Sequence, residues 1–163
     1  MKKILLSILL LVSFRTFAQT VRYTYHPLKA EGCEMTYSVT KQDTSYYIIA
    51  IVRSDRLKFL NEPTMMLRTF DNEVLKLEGR LMDTTSQSSG GVFVGNVIVS
   101  GTMINSTAQF NITPAQFEQL KNGVSKVRLS TIPIEHERTF NKDKIGKKLY
   151  RFYLDAKAKE NDF

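Results

Sequence analysis

The chain has 163 residues, with 23 Lys and Arg against 16 Asp and Glu, a formal charge of +7, one cysteine and two histidines. That length suits one domain with a real core, and 42% hydrophobic with 24% charged residues excludes wholesale disorder and collagen-like repeats. One cysteine excludes an internal disulfide framework and a zinc site of several thiolates, two histidines leave no basis for a histidine-rich metal site, and the absence of tryptophan removes an indole platform for sugars.

Lys2 and Lys3 precede an apolar run from Ile4 to Phe14, followed by Thr16-Phe17-Ala18. A positive start, a short apolar stretch and small residues at the last and third-last positions form the pattern of a secretory signal cleaved after Ala18. The run is too short to span a hydrocarbon core, which needs about twenty residues. No cysteine follows it directly, so lipid anchoring is disfavoured. The expected division is therefore a signal over residues 1–18 and one domain over 19–163, exported to the periplasm, the envelope or the medium, with no transmembrane segment in the mature chain. Loss of Lys2, Lys3 and Arg15 takes the formal charge from +7 to +4. Cys33 would be unpaired in an oxidising compartment, and burial in a sheet is its expected fate.

From Thr20 to Thr131 the pattern has period two with β-branched and aromatic enrichment, which predicts strands. Thr36–Thr40 is the first clear one. Thr44–Arg53 follows, with Tyr46, Ile48, Ala50 and Val52 on one face and Tyr47, Ile49 and Ile51 on the other, so a central strand covered on both sides is expected. Met65–Phe70 and Glu73–Glu78 flank Asp71-Asn72, a tight-hairpin signal. Asp83–Gly91, rich in Ser, Thr and Gly, predicts a mobile loop. Val92–Met103 alternates again, with Gly95 and Gly101 marking a bulge and a bend.

Thr113-Pro114-Ala115-Gln116 has a threonine N-cap, proline at the first helical position and glutamine three residues after the cap, a capping box. The helix should cover about 113–122, turn Phe117 and Leu120 inward and stop at Gly123. Val124–Ile134 returns to period two, with Pro133 ending the strand or placing it at an edge. Ile145, Leu149, Phe152 and Ala156 then form one stripe of an amphipathic helix near 142–159. Together these elements predict an α+β domain with a mainly antiparallel sheet, sandwich-like or covered by helix.

Few residues carry recognisable chemistry. His26 sits in an aromatic-rich opening and His136 between Glu135 and Glu137. Neighbours on an extended chain point to opposite faces, so a solvated polar connector is expected at His136. There is no phosphate loop, no dinucleotide fingerprint and no carboxylate cluster that identifies a metal. No catalytic, cofactor-binding or metal-binding residue is therefore assigned. Nine bases and three acids lie between Lys121 and Arg151, giving this segment +6. Such segregation attracts anionic partners. The candidate contacts are Lys126, Arg128, Lys144, Lys147, Lys148 and Arg151, facing envelope components, acidic glycan or lipid head groups rather than nucleic acid. A plain solvated face is the competing reading. Asp83-Thr84-Thr85 fits a short O-glycosylation pattern, and Asn105-Ser106-Thr107 and Asn111-Ile112-Thr113 fit the N-glycosylation sequon.

The signal followed by Gln19, with Ile112–Phe117, Asn122–Arg128 and Lys142–Lys147, resembles small exported proteins of Gram-negative bacteria that join a signal peptide to a β-rich domain. The resemblance covers about the last third of the chain. It implies an envelope or secreted location and carries over no catalytic residue. The expected function is a non-enzymatic binding or envelope-associated accessory domain. The alternatives are a hydrolase-like enzyme using Cys33 or a histidine, and an assembly subunit that pairs through a sheet edge.

Overall fold

The structure, a computed structural model, describes residues 19–28 and 31–158, with side chains for all of these except 24–28, 31, 32, 89–94 and 98–100. The expected signal segment lies outside the described residues. Among the described residues, ten strands and two helices follow in chain order: β1 Thr20–Leu28, β2 Glu31–Gln42, β3 Ser45–Ser54, β4 Lys58–Phe59, β5 Thr64–Thr69, β6 Val74–Val94, β7 Val97–Ile112, α1 Pro114–Leu120, β8 Val124–Leu129, β9 Thr131–Ile132, β10 His136–Thr139 and α2 Gly146–Ala158. Eight strands form one sheet in the order β1-β2-β3-β7-β6-β5-β8-β10, and β4 pairs with β9 separately. Every pairing is antiparallel. An α+β domain with a mainly antiparallel sheet is what the strand and helix patterning predicts.

The sheet curls until its two edge strands meet through side chains. Tyr23 of β1 stacks on His136 of β10, with ring centroids 5.8 Å apart, and meets Phe140 edge-on at 5.2 Å. Inside the curl lie Met35, Tyr37, Ile48, Val52, Leu67, Leu77, Phe110, Val127 and Leu129, all fully buried. The helices pack on this core through an aromatic trio. Phe117 of α1 stacks on Tyr153 of α2 at 4.4 Å and 7°, and Tyr46 of β3 meets Tyr153 edge-on at 5.0 Å. Offset and edge-to-face pairs of this kind add about 1 kcal/mol each beyond the area they bury.

Local chemistry sets several boundaries. Thr113 caps α1: its side chain accepts from the Gln116 amide while the Gln116 side chain accepts from the Thr113 amide, and Phe117 and Leu120 are buried beneath. Asn72, at φ 69°, closes the β5–β6 hairpin, and Asn122 donates to Asp71 across to it at 2.7 Å. β9 ends at Ile132, directly before Pro133.

Three expectations are corrected. β3 is central between β2 and β7, but only one face is covered. Tyr46, Ile48, Ala50 and Val52 are buried, whereas Tyr47, Ile49 and Ile51 are half-buried, because their neighbours in register are polar: Thr36, Ser38 and Thr40 on β2, and Thr107, Gln109 and Asn111 on β7. Residues 83–91 are not a loop but the middle of β6, laddered to β7 from Asp83↔Thr107 to Ser89↔Gly101. Their side chains need no burial when the backbone bonds are satisfied across a ribbon. Gly95 is not a bulge: at φ 63° it is the first residue of the two-residue turn joining β6 to β7, where such a turn needs a positive φ. The register shift falls instead between Ser89 and Val92.

Candidate binding face on the outer side of the sheet

Residues directly opposite one another in an antiparallel pair share a face, so register alone places the polar side chains. On the outward face, Arg68 of β5 stands opposite Lys126 of β8, and Met66 opposite Arg128. Val74 and Lys76 of β6 flank Arg68 and Met66 on the other side. Met66, Arg68, Val74, Lys126 and Arg128 line one cleft of about 70 Å³. Glu137 of β10 organises its cationic wall. It accepts from Arg128 Nε at 2.8 Å and pairs with Arg128 Nη2 at 2.7 Å through one oxygen, and with Lys126 Nζ at 2.6 Å through the other. These bonds hold the Glu137 carboxyl below its usual range, and Glu135 lies 3.9 Å from Arg128 Nε.

The same face continues into a larger polar groove. Tyr47, Glu78, Gly79, Arg80, Gln109 and Asn111 line about 350 Å³ on β3, β7 and β6, with Gln109 accepting from Arg80 Nη2 at 3.4 Å. Glu78 and Asn111 also line a recess of about 540 Å³ beside the start of α1. Lys76 lines that recess and pairs in register with Met66 of the cationic cleft. The recess therefore borders both, sharing Glu78 and Asn111 with the groove and meeting the cleft through Lys76, while the buried Tyr46, Leu77 and Ile112 form part of its wall.

The six expected anion contacts divide between two places. Lys126 and Arg128 lie in the cleft, joined by Arg68, with Lys76 in the recess and Arg80 in the groove; the charge count over the C-terminal third singles out none of these three. Lys144, Lys147, Lys148 and Arg151 are exposed on α2 and the residues leading into it. The missed cations had a signal in the sequence: outward positions of two predicted strands, Arg68 and Lys76. Linking them to β8 required the strand order.

The histidine and the thiol are elsewhere. His136 is not a solvated connector; it is fully buried on the inner side of β10, opposite Leu129. Its Nε2 lies 2.8 Å from Tyr23 Oη, which is in turn 2.8 Å from Tyr37 Oη. Burial, with Arg138 nearby, pushes the imidazole down to about 4. Burial likewise raises the Tyr23 and Tyr37 phenols. Cys33 is buried on β2, its Sγ 3.5 Å from Met35 Sδ, and burial beside Asp55 and Glu34 pushes the thiol up to about 12. None of the three clefts above is lined by Cys33, Tyr23, Tyr37 or His136. The His26 side chain lies outside those described.

Among the described residues no three His, Cys, Asp or Glu side chains form a group able to hold a metal ion, and no helix is long and apolar enough to cross a membrane. Comparison with known proteins finds no family model, no curated protein and no solved structure that matches the chain.

Proposed function

We infer that this chain is an exported, non-enzymatic binding domain that holds an acidic glycan against the outward face of its sheet. The observation that carries this reading is the cleft in which Arg68, Lys126 and Arg128 converge with the apolar Met66 and Val74. The same outward sheet face also carries a groove where the Tyr47 ring stands beside Glu78, Arg80, Gln109 and Asn111. Guanidinium groups bind carboxylate and sulfate in a bidentate way, planar amides and carboxylates suit hydroxyl pairs, and a tyrosine face gives a sugar ring an apolar platform. Glu137 fixes Arg128 in advance, which lowers the ordering cost of binding. Export rests on the signal pattern of residues 1–18. The non-enzymatic reading is supported by the chemistry of the two groups best suited to catalysis: a thiol held protonated by burial is a poor nucleophile, and the His136 imidazole is engaged with Tyr23 inside the core.

Calorimetric titration with a sulfated oligosaccharide, a neutral dextran and phosphatidylglycerol vesicles tests the reading. Binding is expected to the sulfated glycan only, weakening with added salt. Replacing Arg68, Lys126 and Arg128 together with glutamine should weaken it at least about tenfold, the equivalent of 1.4 kcal/mol. The parallel triple variant Lys144→Gln, Lys148→Gln, Arg151→Gln should weaken it less. Equal binding of dextran, preference for the vesicles, or an unchanged affinity in the first variant overturns the proposal.

A further inference from the structure

The longest hairpin leaves the body of the sheet. The β3 ladder on β7 ends at Ser54↔Ile104, and the β5 ladder on β6 ends at Thr64↔Glu78. Beyond that point the β6 backbone donates singly, from Gly79 to Pro63 at 2.9 Å and from Leu81 to Asn61 at 2.8 Å. From Asp83 to Val94, β6 pairs with β7 and with no other strand among the described residues, and β7 has no second partner strand between Val97 and Met103. A two-stranded ribbon alone is marginally stable in water, and an open edge is a template for another strand.

The composition of this arm departs from the rest of the chain. Residues 84–109 contain no Asp, Glu, Lys, Arg or His, although the chain is 24% charged, an average that would place about six charges in a run of that length. No proline guards the edge, and no lysine, the two residues native sheets use to blunt one. Thr84, Thr85, Ser86, Gln87 and Ser88 are exposed along the shaft. Around the Gly95-Asn96 turn the sequence reads Val92-Phe93-Val94 and Val97-Ile98-Val99, six residues of high strand propensity, with Val97 62% exposed.

We propose that the arm is a homodimerisation element, in which the β6 edge between Thr84 and Val94 pairs antiparallel with the same edge of a second copy and continues the sheet across a two-fold axis. A two-fold interface sets a segment against itself, so each charge on it would face a like charge at or near the axis, a destabilising arrangement in a sheet. A stretch cleared of both signs suits self-pairing and offers nothing to a charged partner. The Thr and Ser residues of the shaft are of the kind that hydrogen-bond across such a junction. This inference stands independently of the glycan reading, since it uses other residues and another face.

Sedimentation over a dilution series of the purified protein provides the test. The wild type is expected to dissociate from dimer to monomer on dilution. The variant Thr85→Lys, Gln87→Lys, altered at exposed positions only, should be monomeric throughout with an unchanged far-UV circular dichroism spectrum. Because Cys33 is buried, the variant Ser88→Cys carries one accessible thiol near the expected axis and should give a covalent dimer under a mild thiol oxidant. This second measurement decides the matter if the lysine variant does not fold. A wild type that stays monomeric at every concentration, a dimer that survives both lysines, or a Ser88→Cys chain that stays uncrosslinked overturns the proposal.

Discussion

Lowering the pH from 7 towards 4 should remove about 3 kcal/mol of folding stability, through His136 alone. The imidazole is fully buried against Tyr23 and its folded pKa is pushed down to about 4, whereas an unfolded histidine titrates near 6.5. Between those values the unfolded chain binds a proton that the folded chain refuses. Stability is therefore complete above about 6.5 and is lost as the pH falls towards the folded value. The groups facing the imidazole do not interfere in this window. The Tyr23 and Tyr37 phenols are shifted up and titrate only in alkali, as does the Cys33 thiol. Asp71 and Glu137 are held below their ordinary values, so their contributions fade only in stronger acid. Urea unfolding at pH 7, 6 and 5 measures the slope. His136→Gln, which can still meet Tyr23 with a group that does not titrate, should flatten it. A slope unchanged in that variant would assign the acid sensitivity to other groups.

Why His136 escapes a reading of the sequence illustrates where such a reading ends. The stretch Glu135-His136-Glu137 looks solvated because two of its three residues are acids. Alternation puts Glu137 outward onto Arg128 and Lys126 and His136 inward, and the inward side is closed only because β1, over a hundred residues away in sequence, returns to that edge with Tyr23. The capping box at Thr113 and the Asp71-Asn72 hairpin were legible because every group they need lies within a few residues. Residues 83–91 resemble a loop for a different reason. Polar side chains argue that a segment is exposed, and a ribbon laddered on one side is as exposed as a loop. The cationic cleft was half legible. Its β8 members stand in a visibly basic stretch, but Arg68 joins them through the β5–β8 pairing, which no local pattern encodes.

Asp143→Ala should destabilise the fold by about 3 kcal/mol, more than any change among the surface charges. This one carboxylate holds the junction between β8 and α2: Oδ1 accepts from the Val124 and Gly146 amides, each at 2.8 Å, and Oδ2 from the Lys147 amide at 2.9 Å. Two of those donors belong to the first turn of α2, whose amides have no partner within the helix, and Val124 is fully buried. Alanine would leave a buried amide unsatisfied as well as removing charge-assisted bonds. Asp143→Asn keeps one acceptor oxygen and should recover part of the loss. The same junction makes Gly146 a second test. Alanine is the better helix former by about 1 kcal/mol, but a Cβ there would lie 2.6 Å from the Val124 nitrogen and 2.9 Å from Gly123 carbons. These are backbone atoms that cannot rotate away, and Asp143 itself fixes their distance. Gly146→Ala should therefore destabilise by about 2 kcal/mol net, measured as a lower denaturation midpoint at unchanged slope. A Gly146→Ala chain more stable than the wild type would show that helix propensity outweighs the contact, and that the end of the helix is free to move off β8.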